Sequence, residues 1–255
     1  MTGWQALDGE IARWRDAGRT AELWWRDDDA ADVTVGLDRL LDLHRATGTP
    51  LALAVVPADA TTMLAARLAD EPGVDLLQHG YAHTNHAPAA DKKCELGPHR
   101  PAMLVLGELA TGWLALERLF GDRPLPVLVP PWNRIAPALV SALPEIGFKG
   151  LSTFGHRSRA VPVSGLKQVN AHLDLVDWKG SRGFVGGETA LAMLTAALRH
   201  ARCSSNEPIG VLSHHLVMDE AAWDFLRSLL ERARTMSGVE VRAASRIFAS
   251  REARP

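Results

Sequence analysis

Three consecutive carboxylates, Asp27, Asp28 and Asp29, follow a short apolar run that ends at Trp25. Adjacent carboxylates at the end of a buried strand repel one another. The repulsion is relieved when one of them binds a cation and another is held nearby as a base. An acidic N-cap for the next helix is the alternative explanation. The triplet therefore predicts either a cation site with a neighbouring base or a helix cap.

A histidine-rich segment, residues 79–86 with the sequence HGYAHTNH, offers three imidazoles. His79 and His83 are four residues apart, so one turn of helix would place both on the same side of a metal. His83 and His86, three apart, satisfy the same argument. Two imidazoles and one carboxylate leave coordination positions for water and substrate, as a hydrolytic metal site requires. The spacing predicts a metal site without choosing the pair.

Aromatic and cationic side chains follow a later apolar run, in the rigid turn of residues 129–134, VPPWNR. The turn presents the indole of Trp132 and the guanidinium of Arg134. An indole face stacks well on a sugar ring, although Trp is also a common core residue. We expect these two side chains to contact substrate.

Two further clusters come later in the chain. Asp174 and Asp177 stand beside another indole, that of Trp178. His214 and His215 follow the apolar run of residues 209–213, where an imidazole could act as a general acid or base. Successive residues of an extended strand point to opposite sides, so only one of these two histidines can face a shared site.

Short apolar runs alternate with longer segments of helical periodicity, which is typical of βα units around a parallel sheet or barrel. The predicted strands are 21–26, 51–56, 74–78, 126–129, 150–153, 172–176 and 209–213, with a short one at 239–242. The predicted helices are 1–17, 35–47, 61–70, 101–120, 137–147, 188–201 and 220–236. Residues 87–100 and 155–168 fit neither pattern and are expected to be long loops, either substrate walls or surface insertions.

About seven strands in this length favour an α/β fold of the distorted (β/α) barrel type, as a single domain over residues 1–255. An open doubly wound sheet is the alternative. In a βα barrel the carboxyl ends of the strands converge on one face, where active sites are assembled. All the polar clusters described above would meet there.

Bulk composition excludes several classes of protein. The formal net charge is −2 and charged residues make up 23% of the chain, so no basic field favours nucleic acid or an anionic membrane surface. The two cysteines form no CxxC pair, which argues against a disulfide framework or a Cys-rich zinc site. No apolar stretch has the length of a membrane span or the form of a signal peptide, so we expect a cytoplasmic protein. A homo-oligomer is compatible with the sequence.

The ordered set of motifs resembles the polysaccharide deacetylase family, the carbohydrate esterases with nodulation-factor-deacetylase homology, from about residue 23 to residue 215. The resemblance implies Asp28 as the catalytic base and Asp29 as a metal ligand, with a register one residue earlier as the alternative. It also selects His79 and His83 as the metal-binding pair. The metal would most simply be Zn²⁺, with Co²⁺, Mn²⁺ or Ni²⁺ as alternatives.

The same resemblance assigns roles in the later motifs. The D-x-x-D-W pattern is similar to residues 174–178, which implies that Asp177 tunes a partner charge. The L-x-H pattern is similar to residues 212–214, which implies His214 as the general acid. We expect Trp178 and Tyr81 to contact substrate as well.

Two positions depart from the family pattern. The family places an arginine just before its Pro-aromatic turn, where this chain has Val129. Either Arg134 or Arg100 replaces that arginine, or the base is oriented differently. The Ser or Thr that customarily follows the first metal histidine is Gly80 here.

The expected reaction is hydrolysis of an N-acyl group, most simply acetyl, on an amino sugar or related carbohydrate. Asp28 would take a proton from a water molecule on the metal, and His214 would protonate the departing amine. A backbone N–H such as that of Tyr81 would stabilise the oxyanion. Hydrolysis of a small cyclic amide or ureide is one alternative, and a catalytically silent sugar-binding module is another.

Overall fold

The computed structural model describes residues 2–249, which form nine β-strands and eight α-helices. The strands are β1 Ala21–Ala30, β2 Leu51–Val55, β3 Val74–His79, β4 Pro124–Val129, β5 Gly150–Leu151, β6 Lys167–Gln168, β7 Ala171–Asp174, β8 Ile209–Ser213 and β9 Val239–Val241. The helices are α1 Gly3–Asp16, α2 Val35–Thr47, α3 Thr62–Leu68, α4 Ala102–Phe120, α5 Pro137–Ala142, α6 Gly187–His200, α7 Glu220–Thr235 and α8 Ala244–Phe248.

The strands pair in parallel in the order β6-β5-β4-β3-β2-β1-β8-β7, and β9 pairs with the start of β1. The chain segment directly after β5 pairs with β7 and so closes the path from its β6 end to its β7 end. There the Ala171 N–H donates to the Thr153 carbonyl at 2.9 Å, and the Gly155 N–H donates to the Ala171 carbonyl at 2.8 Å. The sheet therefore curls into a distorted (β/α) barrel, and the predicted fold class is confirmed.

Side chains alternate between the inside and the outside of this barrel, as the pleat of a strand requires. Along β1, Trp24 points inward and packs with Ala52, Leu77 and Val129. Its neighbour Trp25 points outward into the larger core beneath the helices. Helix α8 covers the amino ends of the strands, where Phe248 meets Trp24 edge to face at 5.9 Å. The opposite end of the barrel, at the carboxyl ends of the strands, is left for a site.

Most predicted elements are present, with small differences at their ends. The α2 bounds and the β8 bounds coincide with the prediction, whereas β1 runs on to Ala30 and carries the acidic triplet inside the strand. The two-residue strand β6 and the short helix α8 were not predicted. Residue Met1 of the predicted N-terminal helix lies outside the described residues. Within residues 2–249, no helix combines the length and the apolar character needed to cross a membrane.

Candidate active site

The proposed metal ligands come together at the carboxyl ends of β1 and β3. Asp29 Oδ1 lies 3.0 Å from His79 Nε2 and 3.2 Å from His83 Nε2. Ligand atoms about 2.0–2.1 Å from a tetrahedral metal are about 3.3 Å apart, so these separations fit a zinc-like ion. His79 is buried, whereas the side chains of Asp29 and His83 are 28% and 30% exposed, which leaves one side of the group open to solvent.

The hydrogen bond of His79 to Val129 fixes which ring nitrogen is free to bind a cation. Its Nδ1 lies 3.0 Å from the carbonyl oxygen of Val129, which can only accept, so Nδ1 carries a proton and donates it. The lone pair of Nε2 in the neutral ring then faces Asp29 Oδ1, a buried oxygen that receives no hydrogen bond from any described residue. Two lone pairs at this distance need a cation or a proton between them, so the donor set fits a divalent metal.

The charges of the group support the same conclusion. Burial raises the pKa of Asp29, but the close contact with His79 and the charges of His79, His214 and His83 outweigh it and hold the pKa well below its usual range. Burial lowers the pKa of His79, but the Asp28 and Asp29 carboxylates outweigh it and raise that pKa. A bound metal replaces the proton that the carboxylates would otherwise stabilise on His79.

A loop, and not a helical turn, brings His79 and His83 together. His79 is the last residue of β3, and the chain after it is irregular. Gly80 has φ 57° and His83 has φ 50°, both in the left-handed region. The expectation of one helical turn is therefore wrong, although His79 and His83 do lie together. His86 is outside the group of possible metal ligands, which separates it from the two candidates.

Glu95, from the long loop of residues 87–100, holds the loop of residues 80–83 in place. Its buried carboxylate accepts the N–H of Tyr81 at 3.1 Å and the N–H of Ala82 at 2.8 Å. A Cβ added to Gly80 would lie 2.0 Å from Glu95 Oε2, so no Ser or Thr fits there. The Tyr81 N–H is consequently engaged, and the expectation that it stabilises an oxyanion is not supported.

The acidic triplet divides between the two faces of β1. Asp27 points outward, where its carboxylate accepts from Ser213 Oγ at 2.6 Å and from the His215 N–H at 3.1 Å. Asp28 points inward and accepts from Arg26 Nη2 at 3.0 Å. Asp28 Oδ1 is buried and takes no hydrogen bond from the described side chains, although Arg26 Nε lies 2.9 Å away. This division favours the register in which Asp28 and Asp29 face the mouth of the barrel, which is its open end at the carboxyl ends of the strands.

Arg26 was not among the expected site residues, and the two expected arginines lie elsewhere. Arg134 donates to the carbonyl of Lys93 at 2.6 Å in an exposed position, so its expected contact with substrate has no support from its present position. Arg100 pairs with Glu108 at 2.6 Å. The two-residue period of a strand was the signal that could have found Arg26, because it places Arg26 and Asp28 on one face.

His214 lies at the end of β8, facing the mouth, and its nearest carboxylate is Asp174. The distance from His214 Nδ1 to Asp174 Oδ1 is 3.7 Å. Burial raises the pKa of Asp174, and the charge of His214 offsets part of that effect. Trp178 completes the group: its ring stands edge-on to His214 at 4.9 Å, and its Nε1 donates to Asp174 Oδ2 at 2.8 Å.

Asp177 does not take part in this arrangement. Its carboxylate accepts the N–H of Gly180 at 3.0 Å and the N–H of Ser181 at 3.2 Å, which stabilises the turn after Trp178. The position of Asp177 therefore does not support the role of tuning a partner charge, and Asp174 is the carboxylate beside the proposed acid.

Trp132 lies against the loop of residues 80–83. Its ring centroid is 4.4 Å from that of His83, and its φ of 54° is left-handed. Its backbone N–H forms no hydrogen bond within the described part of the chain. Trp132 thus stands beside His83, and the half-exposed Trp178 stands beside His214.

A second cluster of metal-ligand types, His156, His172 and Glu207, lies near the closure of the barrel. His172 Nδ1 accepts the N–H of Gly210 at 3.3 Å, so the proton of the neutral ring is on Nε2, which faces Glu207 Oε2 at 3.4 Å. Nε2 then has no lone pair to offer a metal. This cluster is better explained as a buried polar link between β7 and β8.

The barrel and its mouth can be compared with solved structures. A Mycobacterium smegmatis protein described as a polysaccharide deacetylase has a TM-score of 0.69 at 20% identity, over 91% of this chain and 90% of that chain. The peptidoglycan deacetylase PdaC from Bacillus subtilis has a TM-score of 0.56 at 13% identity, over 90% of each chain. A family 4 acetyl xylan esterase from Clostridium thermocellum, in complex with a cobalt ion, has a TM-score of 0.53 at 18% identity, over 89% of this chain and 90% of that chain.

The chain has the fold of the polysaccharide deacetylases. At these identities the likeness concerns the fold, which places the mouth described above at the carboxyl end of a deacetylase-like barrel. Neither a scan of the sequence against protein-family models nor a search of curated proteins gave a match.

Proposed function

We propose that this protein is a metal-dependent hydrolase of carbon–nitrogen bonds other than peptide bonds, which removes an N-acyl group, most simply acetyl, from an amino sugar or a related carbohydrate. The observation that carries the proposal is the convergence of Asp29, His79 and His83 on one point, with Asp28 and His214 beside them, at the mouth of a deacetylase-like barrel.

Three residues would hold the metal: Asp29 through Oδ1, and His79 and His83 through Nε2. A divalent metal, most simply Zn²⁺, supplies Lewis-acid polarisation of the acyl carbonyl and lowers the pKa of a water molecule toward neutrality. The Val129 carbonyl orients His79 for this task, and Glu95 fixes the loop that carries His83.

Asp28 acts as the general base in this proposal. Its Oδ1 is buried and accepts no hydrogen bond from any residue in the described range, so a lone pair remains to receive a proton. Its Oδ2 is fixed by Arg26, which keeps the carboxylate from rotating. The charge of Asp28 also reaches His79, so base and metal ligand are neighbours.

His214 acts as the general acid and protonates the amine as it leaves. Asp174, 3.7 Å from its Nδ1, orients the ring, and Trp178 restricts the ring by edge-on packing. The backbone N–H of Trp132 has no other acceptor among the described residues and lies beside His83, so we assign it to the developing oxyanion.

The experiment is to measure acetate release from a panel of N-acetylated amino sugars, O-acetylated sugars and small cyclic amides. The protein is assayed after metal removal and after Zn²⁺ or Co²⁺ is restored. We expect amide hydrolysis of an amino sugar only in the restored protein. Selective opening of a cyclic amide would move the proposal to the alternative substrate class. Stoichiometric metal binding without turnover of any acylated compound would favour a silent sugar-binding module.

A further inference from the structure

Arg26 lies two residues before Asp28 on β1, and its side chain is fully buried. Its guanidinium contacts Asp28 along the inner face of the strand, with Nε 2.9 Å from Oδ1 and Nη2 3.0 Å from Oδ2. A planar guanidinium that meets both oxygens of a carboxylate fixes the plane of that carboxylate as well as its position.

The rest of the guanidinium is anchored by two other parts of the mouth. Nη1 donates to Ser152 Oγ at 2.7 Å, directly after β5. Nη2 also donates to Asn133 Oδ1 at 2.7 Å, in the short 3-10 turn after β4. Asn133 has φ 55°, a backbone conformation that Asn adopts more readily than most residues. Arg26 therefore connects the turn after β4 and the segment after β5 to the carboxylate of Asp28.

Burying the Arg26–Asp28 ion pair costs desolvation free energy, and packing alone does not explain why the protein keeps it. Removing two charges from water is expensive, and a hydrophobic pair of similar volume would often be as stable. Val129 stands where the family resemblance places an arginine, and its side chain packs in the apolar inner cluster. The position before the turn is thus filled by an aliphatic group, and the cation reaches the same carboxylate from β1.

We propose that Arg26 is the positioning residue for Asp28: it replaces the arginine that would otherwise precede the Pro130-Pro131-Trp132 turn, and it aims Asp28 Oδ1 at the metal site through anchors on Asn133 and Ser152. The inference rests on the proposed function, because Asp28 needs aiming only if it takes a proton during hydrolysis. Arg26 itself touches no reacting atom.

Two substitutions test this role. Arg26→Met should lower kcat by about 10²-fold, the effect expected for a catalytic group misplaced by about 1 Å, while KM and metal content stay near the wild-type values. Arg26→Lys, which keeps the charge but loses the planar fork, should retain more activity than Arg26→Met. Arg123→Met is the matched control, because Arg123 caps carbonyls at the amino end of the barrel and should leave kcat unchanged.

Arg26→Met leaves the Asp28 charge buried without a partner, so a second design guards against misfolding. The double variant Arg26→Met/Asp28→Asn removes both charges. If Arg26 acts through Asp28, the double variant has the same kcat as Asp28→Asn alone. A kcat equal to the product of the two single effects would overturn the proposal, because it would mean that Arg26 acts independently.

Relocating the arginine gives the sharpest test. Arg26→Met/Val129→Arg should recover part of the kcat lost in Arg26→Met, with KM unchanged. Normal kcat in Arg26→Met, together with lost activity in Asp28→Asn, would refute the positioning role and leave the proposed function intact. Normal kcat in Asp28→Asn would refute the proposed function itself, so the two failures are distinguishable.

Discussion

The acidic residues of β1 differ in how fully their carboxylates are hydrogen-bonded. On the outer face, Asp27 has hydrogen bonds on both carboxylate oxygens, from Ser213 and from the ring and backbone of His215. Asp28 lies on the inner face, and a φ of 74° turns Asp29 toward the same end of the barrel. Each keeps a buried oxygen that accepts no hydrogen bond from the residues described. The three carboxylates therefore divide into one whose oxygens are all hydrogen-bonded and two that keep an oxygen free for a ligand or a proton.

The two neighbouring histidines that follow β8 show the same contrast. His214 stands at the mouth, 3.7 Å from Asp174 and beside an exposed indole. His215 is buried against Asp27, and Trp25 donates to Ser213 at 2.8 Å in the same outer network. Strand alternation, together with the left-handed backbone of Asp29, therefore separates the residues that hold β1 to β8 from those that can do chemistry.

The largest expected effect comes from the metal ligands. His79→Ala and His83→Ala should each abolish stoichiometric metal and reduce turnover to background, because two ligands hold a divalent ion far less tightly than three. Metal analysis of the purified, folded variants is the measurement. His86→Ala is the control and should keep full metal. Full metal content in His79→Ala would contradict the assignment.

Removing the base should be the next largest effect. Asp28→Asn should lower kcat by about 10² to 10⁴-fold, the usual contribution of a general base, while metal remains bound. Asp27→Asn should instead lower the free energy of unfolding by about 3–5 kcal/mol, because His215 loses a buried partner. Kinetics and urea unfolding of both variants measure this. If folded Asp27→Asn lost as much kcat as Asp28→Asn, the proposed difference in role between Asp27 and Asp28 would be wrong.

Loss of the proposed acid should mainly affect substrates whose leaving group must be protonated. His214→Ala should lower amide hydrolysis by about 10² to 10⁴-fold. Activated esters, whose leaving groups need little protonation, should be far less affected. His215→Ala is the neighbouring control, with a smaller kinetic effect. If His215→Ala impairs amide hydrolysis and His214→Ala does not, the roles of the two histidines are reversed.

The smallest expected effect is on the pH dependence of the unfolding free energy. Burial lowers the pKa of His215, but the charge and hydrogen bond of Asp27 outweigh it and raise that pKa. A raised folded pKa stabilises the fold below the unfolded value of about 6.5, and the contribution is lost as pH rises through the folded pKa. The gap in unfolding free energy between wild type and His215→Gln should therefore be larger at about pH 5.5 than at about pH 8.5. A gap that grows with pH would contradict this pairing.

Much of the fold could be predicted from the sequence, because each βα unit contains a long periodic segment. Helix α2 and strand β8 have the bounds that periodicity predicts. Helix α8 spans five residues, which is too short for a helical period to be distinguished from chance. The two-residue strand β6 is set by its pairing with β5, and local sequence carries no signal for it.

The sequence suggested candidate site residues, but it could not predict the contacts between them. Spacing suggested a helix for His79 and His83, whereas Gly80 and His83 adopt left-handed conformations that depend on Glu95 filling the space beside Gly80. Asp174 and Asp177 could not be separated by spacing, because the turn after β7 decides which carboxylate faces His214. Such contacts depend on loops from distant parts of the chain, which local pattern does not describe.

Metal content across the acidic triplet tests the central contrast most directly. Asp27→Asn, Asp28→Asn and Asp29→Asn are purified in folded form, loaded with excess Zn²⁺, freed of unbound metal and analysed for stoichiometry. The division of β1 predicts that only Asp29→Asn loses its metal, because Asp29 alone supplies an oxygen to the two histidines. Loss of metal in Asp28→Asn with normal content in Asp29→Asn would contradict the assignment and move the site one residue toward the amino end of the strand.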